Sequence, residues 1–163
     1  MKDYSHVVIK FNKEDIELFG RITAELCDEK DLYYSEIVES IHGDVSYKIH
    51  AVLFYGFKAH VSEKDVQDYI QTINLKEIKL GKLFTLPGWK NQYQVLCVEI
   101  LDKDLQLKNI HNDFKQFDHE PKVQYPDFKP HITLAFVNSV YKIKNNVAFP
   151  ESLQIKEIKF IKE

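Results

Sequence analysis

Two apolar stretches, Tyr47 to Phe57 and Pro130 to Val137, carry a histidine near their start, and the elements leading to each run in the same order. In the first half, His6 to Phe11 is rich in β-branched and apolar residues and reads as a strand. Asn12 can cap a helix in which Ile16, Phe19, Ile22 and Leu26 recur at helical spacing. A less regular, acidic stretch from about Asp28 to Ser46 then leads to the strand carrying His50. In the second half, Tyr93 to Leu101 reads as a strand, and Asp102 or Asp104 opens a helix with Leu107, Ile110, Phe114 and Phe117 on one face. A polar loop containing Pro121 and Pro126 leads to His131. Between the halves, Ser62 caps a helix striped by Val66, Tyr69, Ile70 and Ile73, and Ile78 to Leu86 forms a strand ending in the turn Pro87-Gly88. Leu153 to Ile161 alternates and closes the chain as a half-exposed strand. The repeat is one of element order, without a strong residue-level repeat. It predicts a single α+β domain over residues 1–163: two pseudo-symmetric lobes of mostly antiparallel sheet, helices outside, with His50 and His131 facing each other across a central cleft.

Composition narrows the function. With 163 residues, 44% of them hydrophobic, the chain can bury a core of its own. No apolar run approaches the ~20 residues that cross a bilayer, and Met1 to His6 lacks the apolar region of a secretion signal. Cys27 and Cys97 have apolar neighbours and no metal-binding spacing, as expected of two reduced core thiols in a cytoplasmic protein. The net charge of -3 supplies no field for a long polyanion, so neither duplex DNA nor a membrane is an expected partner. Arg21, the single arginine, lies in the first helix, so a phosphate site must use Lys, His, hydroxyls or backbone N–H groups. No GxGxxG, Walker A or HExxH pattern occurs, and neither a metal nor a cofactor is expected. The expected partner is a small nucleotide or oligonucleotide, bound by a monomer.

His131 and Thr133 lie two apart on a strand and therefore point the same way, with Ile132 opposite. An imidazole beside a hydroxyl is a phosphate-handling unit: the histidine moves a proton near neutral pH and the threonine donates to a non-bridging oxygen. An isolated histidine is ordinarily a satisfied core or strand-edge residue. Two histidines at matching places in two halves favour function. Lys10, on the first strand, can face a phosphate, although a lone strand lysine is more often solvated. Trp89, the one tryptophan, sits in a turn where it can stack on a base or cover a sheet edge. His111 and His119 read as surface residues, and His6, His42 and His60 as non-catalytic.

The triplets and their strand context resemble the 2H phosphoesterase superfamily, defined by two His-x-Thr/Ser motifs. His50-Ala51-Val52-Leu53-Phe54-Tyr55-Gly56 resembles the form HxTxxYG, and Tyr125 to Phe136 resembles YPxYxPHITLAY. That variant is similar to phage and bacterial anti-CBASS nucleases, which destroy cyclic oligonucleotide signals and use a tryptophan between the motifs. The resemblance implies that His50 and His131 are the acid–base pair, that Thr133 binds phosphate, and that cleavage needs no metal. The chain departs from the family at Val52, where the first hydroxyl should stand. Three outcomes follow: a slowed enzyme, a nucleotide-binding sponge that has lost turnover, or a structural protein with a decayed site. A further alternative is a site where Tyr55, Tyr47 or a lysine such as Lys10 fills the gap.

Overall fold

The computed structural model describes residues 4–33, 49–124, 126–143 and 147–163. Its strands are β1 (Ser5–Phe11), β2 (His50–Phe57), β3 (Glu77–Pro87), β4 (Tyr93–Leu101), β5 (His131–Asn138) and β6 (Ser152–Ile161). Its helices are α1 (Lys13–Leu26), α2 (Glu63–Ile70) and α3 (Gln106–Asp113). Every strand pairing is antiparallel. The expected α+β class and antiparallel sheets are present, and the two lobes are the three-stranded sheets β2–β1–β6 and β5–β4–β3. The sheets are not separate. They join through Ala51 opposite Ile132 on one side and three β3–β6 pairs on the other, closing the order β1-β2-β5-β4-β3-β6 into a ring.

The core forms where the buried apolar residues of the strands meet the helix stripes. Val7, Ile9, Leu53, Phe54, Leu96, Val98, Ile132 and Leu134 bury against Phe19, Ile22 and Leu26 of α1, Val66 and Ile70 of α2, and Leu107 and Ile110 of α3. The three helices of the described residues cannot fit inside their six strands, since even an eight-stranded barrel holds little more than side chains. The helices therefore cover the outer face, and the opposite strand face lines the space within the ring. Among the described residues, no helix is long and apolar enough to cross a membrane.

Local chemistry explains most boundaries. Ser62 accepts from the Asp65 N–H at 3.3 Å and starts α2. Asn12 occupies the N-cap of α1, but its side chain makes no capping bond. Asp102, not Asp104, opens α3, accepting from the N–H groups of Leu107 and Lys108 at 2.7 and 3.0 Å. The helix starts only at Gln106 because Asp104 and Leu105 adopt φ of 60° and 55°.

Two expectations about histidines need correction. His111 is buried, 7% exposed, and donates from Nδ1 to the Leu53 carbonyl at 2.7 Å. Its ring stacks on Phe128, centroids 4.2 Å apart. His119 is half-buried, with Nδ1 donating to the Phe117 carbonyl at 2.8 Å. Strand-spacing logic missed both because their partners are backbone carbonyls brought near by folding. Burial holds the His111 imidazole below its ordinary value, against the opposing pull of the Leu53 bond. Above about pH 6.5 both folded and unfolded states keep this ring neutral. Below it the unfolded chain takes up the proton first, so stability falls as the pH is lowered. The urea midpoint of the wild type should therefore drop more between pH 7 and pH 5 than that of His111→Gln, and parallel slopes would remove His111 as the cause.

Candidate active site

A single pairing assembles the site. Because Ala51 lies opposite Ile132 in an antiparallel register, His50 faces Thr133 and Val52 faces His131. Ala51 and Ile132 point into the core, 2% and 0% exposed, so the four other side chains share the inner face of the ring. His50 and His131 are diagonal neighbours on that face. Diagonal residues of an antiparallel pair have Cβ atoms roughly 7–8 Å apart, which leaves room for a phosphate hydrogen-bonded to both rings.

The lobes also match residue by residue, a correspondence the sequence did not betray. A bulge interrupts β2 at Leu53, where the β1 register shifts between Val7 and Val8. Another interrupts β5 at Leu134, where the β4 register shifts between Leu96 and Cys97. Leu53 and Leu134 are as far apart in sequence as the two histidines. Each bulge turns two successive residues into the core and brings the next, Tyr55 or Phe136, back to the inner face. Gly56 follows with φ 113°, and a Cβ there would strike Val123 and Gln124, which accounts for the glycine after Tyr55.

The outer strands complete the floor. Lys10 of β1 pairs with His50, and Glu99 of β4 pairs with His131, so a cation flanks one histidine and an anion the other. Glu99 was not singled out from sequence. Its carboxylate lies where a side chain on Gly81 would be, so the glycine makes space for it. Val8 pairs with Val52 and Cys97 with Thr133. Val52 thus sits on an apolar strip with Val8, while the Thr133 hydroxyl has a thiol beside it.

Cys97 is fully buried, as expected, but it lies under Thr133 rather than in the helix-facing core. Burial pushes its thiol up to about 12, offset in part by the Thr133 hydroxyl, so it stays protonated and neutral. Sulfur is a weak acceptor, so Thr133 can redirect its proton to a phosphate oxygen at little cost.

His131 is held in a definite orientation. Its Nδ1 lies 2.7 Å from the Lys129 carbonyl, which can only accept, so Nδ1 carries the proton and Nε2 of the neutral ring is left as an acceptor. Phe84 packs edge-on against the ring at 6.1 Å. Val52 and Tyr55 are 40% and 36% exposed on the same face. Trp89, 63% exposed, lies at the tip of the β3–β4 hairpin with the Lys90 ammonium 4.4 Å from its ring centroid. The hairpin end pairs with Asn138, five residues past Thr133, on the order of 15 Å along β5 from the histidines. Tyr47, His42 and Tyr125 lie outside the described residues. Among the described residues, no group of three His, Cys, Asp or Glu side chains could hold a metal. A hollow of about 660 Å³ lined by Tyr69, Thr72, Gln106 and Asp113 lies between α2 and α3, away from both histidines.

Comparison with solved structures finds the same fold in LigT and in a phosphoesterase. Escherichia coli LigT complexed with phosphate superposes with a TM-score of 0.62 at 14% identity, over 97% of this chain and 85% of that one. LigT complexed with 3′-AMP gives 0.59 at 12%, over 97% and 86%, and LigT has also been crystallised with ATP. A structure described as a phosphoesterase gives 0.62 at 12%, over 98% and 87%. No protein-family model matches the chain, and no curated protein does.

Proposed function

We propose that this chain is a 2H phosphoesterase: a metal-independent phosphodiesterase that cleaves a short, cyclic or 2′-5′-linked oligonucleotide with two histidines. The observation that carries this reading is the Ala51–Ile132 pairing, which brings His50, His131 and Thr133 to one face at a spacing that admits a phosphate. The binding of phosphate and 3′-AMP by similarly folded LigT supports it. One imidazole takes the proton of a 2′-hydroxyl or water as its oxygen attacks phosphorus. The other gives a proton to the departing oxygen, and Thr133 donates to a non-bridging oxygen. Lys10, paired with His50, offsets the phosphate's charge. Cleavage of a cyclic oligonucleotide would make the chain a counter-defence enzyme acting in the host cytoplasm.

The test is incubation with linear, 2′-5′ and cyclic oligonucleotides in EDTA, with products identified by mass. Cleavage should be unaffected by the chelator. Loss on chelation with rescue by Mg²⁺ or Mn²⁺ would rule out the two-histidine mechanism.

The exposed Val52 beside His131 supports a second reading, a sponge that holds its nucleotide unchanged. Restoring the hydroxyl separates the two. A hydrogen bond to a charged group contributes ~1.5–3 kcal/mol, so Val52→Thr should raise kcat by roughly one to two powers of ten. The inner face is open at Val52, so the new hydroxyl costs little to place. A wild type that binds without turnover, and a Val52→Thr variant that cleaves, would identify the sponge. An active wild type unaffected by the change means Tyr55 or Lys10 already holds that oxygen.

A further inference from the structure

We infer that His111 is a positioning residue for the proposed reaction: stacked on Phe128, it holds the segment ahead of His131 so that the Lys129 carbonyl meets His131 Nδ1. The inference rests on the phosphoesterase reading and deepens it. His111 is a buried titratable side chain that the two-histidine mechanism does not use. It donates from Nδ1 to the Leu53 carbonyl at 2.7 Å, which fixes the plane of its ring. Leu53 lies at the β2 bulge, where the ladder is locally disrupted, and the imidazole gives its carbonyl a partner. Phe54 bears on the same ring at 5.3 Å.

Phe128 lies flat on that ring, with centroids 4.2 Å and planes 7° apart. Only Lys129 and Pro130 separate it from His131, and neither has much freedom of its own. Pro130 has a fixed φ, and its carbonyl accepts from the Ile100 N–H at 3.1 Å. Lys129 precedes a proline, which confines it to extended backbone. The remaining soft rotations lie at Phe128, so anchoring its ring sets the direction of the Lys129 carbonyl. That carbonyl accepts from Nδ1 of His131 at 2.7 Å and leaves Nε2 of the neutral ring available for proton transfer. Phe84 meets the His131 ring edge-on at 6.1 Å and limits its tilt, but a phenyl edge cannot decide which nitrogen carries the proton. That decision passes from the core, through His111 and Phe128, to the Lys129 carbonyl.

The experiment replaces His111 in the whole chain and reads the nitrogen NMR signals of the His131 ring at about pH 8.5, where ordinary imidazoles are neutral. The signals are assigned by their absence in His131→Ala and show which nitrogen carries the proton. His111→Asn keeps a donor for Leu53 but loses the stack, and should let the His131 proton spread over both nitrogens. On an oligonucleotide that the wild type cleaves, its kcat should fall roughly ten- to hundred-fold, as for a misplaced reacting group, with KM little changed. Phe128→Leu removes the same stack from its half-buried side and gives the same readout should His111→Asn fail to fold. The double variant should be no worse than either single one, since both remove one contact. His111→Phe keeps the stack and loses the bond to Leu53. Its urea midpoint should fall while the His131 signals stay as in the wild type, which separates positioning from stability. A folded His111→Asn or Phe128→Leu that keeps the proton on Nδ1 overturns the inference and leaves the phosphoesterase reading standing. Signals that move in His111→Phe as well would show general loosening and overturn it too. If the wild type cleaves no phosphodiester, the phosphoesterase reading falls, and the ring signals still decide whether His111 sets the His131 tautomer.

Discussion

His50→Ala and His131→Ala are each expected to lower kcat by roughly 10²–10⁴, because each removes one proton-transfer partner of the proposed shared step. The double variant should be little worse than either single one, since groups acting as a unit are strongly non-additive. Losses that multiply would show that the two rings do not serve the same step. The folds should survive, because both side chains are only half-buried on the inner face and their strands are anchored by Ala51 and Ile132 in the core. The rate should be bell-shaped in pH, one ring having to be neutral while the other is protonated. His131 is tethered through Nδ1, so His131→Gln, which can donate but not titrate, should remain inactive.

The largest effect on stability is expected at Phe54. It is 1% exposed and lies where three layers meet: Phe57 at 4.7 Å on its own strand, Phe114 at 6.0 Å just past α3, and the His111 ring at 5.3 Å. Phe54→Ala should cost ~3–5 kcal/mol, read as a lowered urea midpoint, because the surrounding rings cannot collapse into the space of a lost phenyl group. That is a large share of the ~5–15 kcal/mol by which a domain is stable. The matching residue in the other lobe is Ala135, so the lobes share a backbone plan but fill their cores differently. A loss below about 1 kcal/mol would mean that the cluster repacks freely.

Phe54 also shows where sequence reasoning stops. Its neighbours in the chain identify a strand, but not that two consecutive residues, Leu53 and Phe54, both face the core. Strict alternation assigns Tyr55 to the core face, and the bulge reverses it. The regularity was present in sequence, since Leu53–Tyr55 and Leu134–Phe136 sit at the same interval as the histidines. Without the partner strands nothing marked it as structure. Cys97 is the converse case. Its burial was foreseen from apolar neighbours, while its place beneath Thr133 depended on the β4–β5 register.

By itself the sequence determined the type of the described strands and long helices, and the place of a histidine near the start of two matching strands. These rest on local periodicity and on capping residues such as Ser62, written within a few positions of one another. Only the tertiary structure decided that the lobes close into one ring, that Lys10 stands beside His50 and Glu99 beside His131, and that His111 is buried against Leu53. Those facts depend on which strand lies next to which and in what register. A single extra residue at a bulge exchanges the faces of everything beyond it, so cross-strand neighbours are fixed by the packing of the whole sheet rather than by any local run of residues.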